Sequence, residues 1–458
     1  MSVYADDVVS FTSVLKIAYN FLTGRDYLIK KKSKEKKKIV SVALGFPDLV
    51  YASDSIPVFP IRMEKFKVNL YLLALTTAKN LFGWDFTSNL LGIARQLDFL
   101  KIVDTIISDV ISTINGKYNI MYNLGIEDGK SPELCYGVNA IYGMHKSQYN
   151  NIDANLKFSL RCQESNVYSE SIKEMIPNQI KIDIPLLNVK EKALELMVEN
   201  VKSGITELED LTGNIVSDNS LKKQFRIGNQ VKRYYKTILH EISDSDFYPC
   251  NPATFAEILG LLTITFQDYN SNAQRYLENM SQLVNEMRGR IKKGIGMDVS
   301  GKPRLLISPI FNGWEPKLHE VIYKKYGGRV TYADWDILGL LEEINVSKNS
   351  DPIENYSCFL LNASKKGIFC LKDCNALFNS YIDFTKKRGL DGIIFNQMTE
   401  CHLNNSNCYE LLKNKIQNEL RKPAVIVKFK KIGEGIEETG KTLASFMDLL
   451  TSQRNLKV

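Results

Sequence analysis

From Arg304 onward, short apolar runs alternate with amphipathic stretches, and that rhythm admits few architectures. Arg304–Ile310, Arg329–Ala333, the Gly392–Phe395 run and Ala424–Phe429 read as strands. Helices are expected between them at Glu315–Tyr326, which Gly327-Gly328 stops, at Leu371–Arg388 and at Asn407–Leu420, with a last one from Thr442. Strand, helix, strand in repetition demands parallel pairing through right-handed crossovers.

An earlier α/β segment echoes this one. Lys38–Leu44, Ser55–Pro60, Tyr118–Leu124, Lys157–Leu160 and Gln179–Pro185 read as short strands. Apolar residues from Phe99 to Ile114 recur at helical spacing. Between the two segments, residues 188–294 are helical throughout. Leu194, Met197, Val198, Val201, Ile205 and Leu208 form one apolar face, Gly213 closes that helix, and Ser217–Ser220 caps the next. The expected fold class is therefore α/β, with two Rossmann-like parallel-sheet domains joined by a helical region. The divisions fall at 1–115 (mainly helical), 116–187 (the first α/β unit, drawing a strand from 38–60), 188–294 (the helical bridge) and 295–458 (the second α/β unit). A chain of 458 residues exceeds one ordinary core, which agrees with this division.

Composition excludes several classes. Hydrophobic residues make up 44% and charged residues 24%, as in a water-soluble globular protein. The longest apolar stretch, Val68–Leu75, is far below the roughly 18 residues of a membrane span. The opening Met1-Ser-Val-Tyr-Ala-Asp-Asp is acidic where an export signal is basic, so the cytoplasm is the expected location. Most of the formal charge of +7 comes from Lys30–Lys38, with seven lysines and one glutamate. That run reads as a solvated loop before a strand. It has no interleaved aromatic or arginine side chain, so neither it nor the near-neutral remainder supports nucleic-acid binding.

Gly435-Ile-Glu-Glu-Thr-Gly-Lys441-Thr442 matches a phosphate-binding loop letter for letter. Two features reject it. Only 16 residues follow Thr442, too few for the strand that supplies a magnesium-binding aspartate, and Glu437 and Glu438 put negative charge where phosphate would sit.

Cysteine placement carries more. The eight cysteines contain no CxxC pair, so zinc-ribbon and thioredoxin-type motifs are absent. Cys250, Cys358 and Cys370 stand in core-like contexts, and Cys408 is placed on a helix with a structural role. Cys374 begins a helix. Cys135 follows Ser131-Pro-Glu-Leu and is expected on an exposed loop. Cys162 and Cys401 each lie just past a strand end, where ligands collect in parallel sheets. Thiols from two such units could hold an iron–sulfur cluster between them. Zinc on Cys401, His402, Cys408 and Cys374 competes, although the spacings match no standard zinc pattern. A Cys401 nucleophile assisted by His402 is disfavoured, because adjacent side chains at a strand end point apart. His145, His240 and His319 are scattered and read as structural.

Phe46-Pro-Asp-Leu-Val-Tyr-Ala52, with Ile56-Pro-Val58, resembles the "Pro-Glu-Glu-Leu-Ile-Tyr-Ala-Ala-Gly…Pro-Val" signature of 2-hydroxyacyl-CoA dehydratase and benzoyl-CoA reductase subunits. Pro303-Arg-Leu-Leu-Ile-Ser-Pro, Tyr326-Gly-Gly-Arg-Val330, Asp391-Gly-Ile-Ile-Phe…Cys401, Lys422-Pro-Ala-Val-Ile-Val427 and Gly440-Lys-Thr-Leu-Ala-Ser-Phe446 follow in the family's order. The chain departs from the pattern at Ala52-Ser53-Asp54, at Cys162-Gln163, and at Leu443, where an arginine is usual.

The resemblance implies two Rossmann-like domains beside a helical region and a 4Fe-4S cluster held by Cys135, Cys162 and Cys401. Cys374 or Cys408 remains an alternative to Cys401 as third ligand. It further implies a cytoplasmic heterodimer with a paralogous subunit, an acyl-CoA substrate and a separate ATP-dependent iron–sulfur activator. The implied reaction places one low-potential electron in the thioester carbonyl of a 2-hydroxyacyl-CoA. The resulting ketyl expels hydroxide, the β-proton becomes acidic, and the electron is recovered. A benzoyl-CoA-type reductase subunit and a non-catalytic structural partner subunit are the alternatives.

Overall fold

The computed structural model describes residues 11–42, 46–66, 76–84, 86–87, 106–159, 163–185, 190–308, 320–366, 374–400 and 406–455. The Val68–Leu75 stretch, Cys162, His319, Cys370, Cys401 and His402 lie outside the described residues.

The first α/β unit begins with α1 (Thr12–Leu22), which buries Val14, Leu15, Ile17, Ala18 and Phe21, and α2 (Gly24–Glu35). Much of the lysine run is thus helical rather than a loop. The helix ends where Lys36 turns left-handed at φ 54°, and Lys32 and Lys37 pair with Asp153 and Asp54. β1 (Ile39–Ser41), the short α3 (Asp48–Ala52) and β2 (Ile56–Val58) follow. Two long helices, α4 (Ile106–Glu127) and α5 (Tyr136–Gln148), form a hairpin ahead of β3 (Ala154–Phe158), α6 (Gln163–Lys173) and β4 (Gln179–Ile182).

The strand expected at Tyr118–Leu124 is part of α4. Ile111, Ile114, Met121 and Tyr122 are buried at helical, not alternating, intervals. α5 presses so close that a Cβ at Gly143 would collide with the Met121 carbonyl oxygen. Packing decided between two periods that this apolar, aromatic run could satisfy.

The helical layer comprises α7 (Lys190–Thr212), α8 (Asp218–Thr237), α9 (Pro252–Thr265) and α10 (Ala273–Lys292), with a small antiparallel ribbon of β5 (Phe247–Tyr248) and β6 (Met297–Asp298). Ser217 caps α8 by accepting from the Ser220 N–H, as its sequence suggests. Between α9 and α10 the chain kinks through Tyr269, Asn270 and Ser271, all at positive φ. The buried carboxylate of Asp268 fastens this kink: it accepts from Arg62 Nη1 at 3.1 Å and from the Phe59 amide at 3.0 Å, beyond the end of β2.

The second unit contains β7 (Arg304–Ser308), β8 (Arg329–Thr331), α11 (Asp334–Ile337), α12 (Pro352–Lys365), α13 (Cys374–Arg388), β9 (Gly392–Met398), α14 (Ser406–Leu420), β10 (Ala424–Phe429) and α15 (Ile436–Asn455). α15 starts at Ile436, not Thr442. Gly435 supplies a left-handed turn at φ 64°, and Glu437 and Glu438 complement the positive end of the helix. The residues of the apparent phosphate loop are therefore helical turns.

Both sheets are parallel and share one topology. The first runs β2-β1-β3-β4 and the second β10-β9-β7-β8; in each, the first strand lies between its second and third. One hydrophobic core runs through both sheets and the helical layer, and two smaller clusters cover the outer faces.

Candidate metal centre

In a sheet of this order, adjacent crossovers leave on opposite faces at the first and third strands, which opens a crevice at their carboxyl ends. In the first sheet that crevice lies between β1 and β3. Phe46, beyond β1, packs on Phe158 at the end of β3 with ring centres 4.6 Å apart, and on Phe359 of α12 at 6.1 Å. In the second sheet it lies between β7, ending at Ser308, and β9, ending at Met398. Cys162 stands four positions after Phe158 in sequence, and Cys401 three after Met398. Both of these strand-end cysteines therefore follow the strands that border the two crevices.

Cys135 reaches this region by another route. It is the N-cap residue of α5, and it is buried with 7% of its surface exposed, not set on an exposed loop. The Asn139 side chain donates to the Ser131 carbonyl and holds the preceding turn against the helix. Tyr136 donates to Asn119 Oδ1, and Asn119 Nδ2 donates to the Ile432 carbonyl at 2.9 Å. Those bonds carry the α4–α5 hairpin across to the carboxyl end of β10. There the Sγ of Cys135 lies 3.2 Å from the Sδ of Met398. The turn after β9 is itself pinned to β10, since the Thr399 amide donates to the Phe429 carbonyl and Lys430 lies 3.7 Å from Glu400.

The surroundings suit a thiolate that binds a soft metal. The positive end of α5 favours a negative sulfur at its first turn. Gly137 brings the helix start against it: a Cβ there would stand in ordinary contact, 3.8 Å from the Cys135 sulfur. Burial raises the Tyr118 and Tyr136 phenols well above their ordinary range, so both remain neutral beside this helix start. Among the described residues no group of three His, Cys, Asp or Glu side chains could hold a metal. Cys135 is the one member of the expected set of three that is described.

Cys250 is fully buried, Cys358 is half-buried on α12, and Cys408 packs from α14 against the outer core of the second sheet. Cys374 begins α13, as expected.

Several residues at the two crevices have no sequence signal of their own. Ser308 donates to Asp334 at the start of α11 and accepts from the Tyr381 hydroxyl at 2.7 Å, tying together the ends of β7 and β8 with α13. Behind the Phe46–Phe359 wall, Lys232 lies 4.1 Å over the Phe359 ring and donates to the Glu342 carbonyl. Burial lowers its pKa against the opposing pull of Asp48, and burial raises that of Asp48 against the pull of Lys232. Met398 belongs to the same group; in sequence it is only the last apolar residue of a strand.

A family model described as 2-hydroxyglutaryl-CoA dehydratase, D-component, matches residues 121–450, well over half of the chain. The match includes Cys135, Cys162 and Cys401, while the Phe46–Val58 signature lies ahead of it. No curated protein matches the chain. No helix among the described residues is long and apolar enough to cross a membrane.

Proposed function

Because the chain belongs to the 2-hydroxyglutaryl-CoA dehydratase D-component family, we propose that it is the iron–sulfur component of an enzyme that removes water from a 2-hydroxyacyl-CoA thioester. Membership makes it a dehydratase-type component that works beside a partner subunit. In this reading the partner is a paralogous chain, and a separate ATP-dependent iron–sulfur activator delivers the electron.

The observation that carries the proposal is the contact between Cys135 and Met398. It brings a thiol from a helix of the first unit to the strand that leads to Cys401. Cys401 follows Met398 by three residues in sequence, and Cys162 follows Phe158 by four. Cys135, Cys162 and Cys401 would hold a 4Fe-4S cluster through three of its irons. When bound, it supplies one-electron chemistry and an iron with an open position.

The chain's own residues do the rest. α5 presents the Cys135 sulfur with its positive end behind it. Phe46, Phe158 and Phe359 keep water from the first crevice. The Tyr381–Ser308–Asp334 chain of hydrogen bonds fixes the strand ends that frame the second. A helical segment in place of the letter-perfect phosphate loop suits a component whose ATP is hydrolysed elsewhere.

The test is product analysis of the anaerobically reconstituted complex, supplied with activator and offered a 2-hydroxyacyl-CoA or an aromatic acyl-CoA. The proposal expects a 2-enoyl-CoA from the first and no turnover of the second. Reduction of the aromatic thioester would make the component part of a reductase. A complex that holds iron and turns over neither would leave it a structural subunit.

A further inference from the structure

We infer that Met398 is a positioning residue: its thioether covers the Cys135 sulfur, keeps water from it and so helps to set the potential of the metal group bound there. The inference rests on the cluster reading above.

Three observations carry it. First, both residues are buried, each with 7% of its surface exposed, and their sulfurs are 3.2 Å apart. Second, the pair shares a floor. A Cβ at Gly137 would lie 3.8 Å from the Cys135 Sγ and 3.9 Å from the Met398 Cε, both ordinary contact distances, so the two sulfur side chains fill one shallow cradle at the start of α5. Third, Met398 closes a strand whose seven residues are all buried, so its backbone is fixed while its side chain retains three rotatable bonds.

A thioether is neutral at every pH, polarizable, and no hydrogen-bond donor. Against a protonated Cys135 it accepts the S–H. Against a metal-bound thiolate it offers an apolar cover that donates nothing. Hydrogen bonds to cluster sulfurs and exposure to solvent both favour the more negative, reduced state and raise the potential. Met398 itself donates no hydrogen bond to Cys135 and occupies surface that water would otherwise reach, which favours a low potential, as delivery of an electron to a thioester requires.

The test uses the full chain, reconstituted anaerobically, with Met398→Gln and Met398→Leu. Glutamine has nearly the same length but aims an amide N–H at the sulfur; leucine keeps the apolar cover. Iron per chain should equal wild type in both. The midpoint, read by EPR during a redox titration, should move positive in Met398→Gln and stay in place in Met398→Leu. A Met398→Gln midpoint equal to wild type would overturn the inference, as would equal shifts in both variants. Loss of iron in both would make Met398 a holder of the metal, not its cover, and also overturn it. In the metal-free chain, Met398→Ala should speed alkylation of Cys135 by about tenfold, as expected when a buried thiol gains solvent access. An unchanged rate would show that Met398 covers nothing. A wild-type chain that binds no iron would refute the cluster reading, whereas iron with an unmoved Met398→Gln midpoint would refute this inference alone.

Discussion

Met398 and Cys135 are 263 positions apart in sequence, yet their sulfurs meet at 3.2 Å. One ends the strand at the switch point of the second sheet; the other caps a helix packed on the first. Two parallel sheets of the same topology thus direct their carboxyl ends to a shared region. The α4–α5 hairpin is one element that reaches from the first to the second.

That hairpin depends on Gly143, where a side chain would strike the Met121 carbonyl. Gly143→Ala should lower the unfolding free energy by about 2–3 kcal/mol, the usual cost of overpacking, as measured by denaturant titration. The displaced α5 should also bind less iron through Cys135. Wild-type stability in this variant would show that the helices separate freely.

Arg62 and Asp268 form a buried ion pair, 2% and 0% exposed, at the kink between α9 and α10. Removing one partner leaves a buried charge, so Arg62→Met should cost about 3–5 kcal/mol. The double change Arg62→Met with Asp268→Leu should recover much of that loss. A single variant within about 1 kcal/mol of wild type would mean that the kink tolerates an uncompensated carboxylate.

His145 is buried, with Nε2 2.9 Å from Ser41 Oγ and Nδ1 3.0 Å from the Ile141 carbonyl. Burial lowers its pKa to about 4 from 6.5. The unfolded chain therefore binds the proton first as pH falls, and the contribution to stability present above pH 6.5 is lost on the way down to about 4. The loss is of order 3 kcal/mol. His145→Gln should flatten this part of the curve of stability against pH, measured by urea titration. A variant as acid-sensitive as wild type would place the effect elsewhere.

Lys441 lies in the second turn of α15 and not in a loop. Lys441→Ala should leave the chain as indifferent to ATP and magnesium as wild type, in both thermal shift and calorimetry. Tight ATP binding that Lys441→Ala abolishes would contradict the helical assignment.

The strands were readable because buried parallel strands show as short apolar runs, and β1, β4, β9 and β10 fall where such runs stand. Tyr118–Leu124 defeated that logic. Its residues suit either period, and only close packing on α5 makes them helical. The lysine run looked like a loop because it has no apolar face, but it extends a helix already anchored by Leu28. Cys135 could be selected by likeness to a family pattern, but its burial depends on Asn139, which holds the turn at Ser131, and on Asn119, whose bond to Ile432 joins segments 313 positions apart. Met398 had no local signal at all. A terminal strand methionine becomes informative only when the helix start beside it is known.

The central claim is that Cys135, Cys162 and Cys401 together hold an iron–sulfur cluster. Iron and acid-labile sulfide per chain, after anaerobic reconstitution, test it most directly in Cys135→Ser, Cys162→Ser, Cys401→Ser and the buried control Cys250→Ser. The account predicts that each of the first three loses most of its iron while Cys250→Ser keeps the wild-type content. An iron-free wild type, or full iron content in Cys135→Ser, would contradict it.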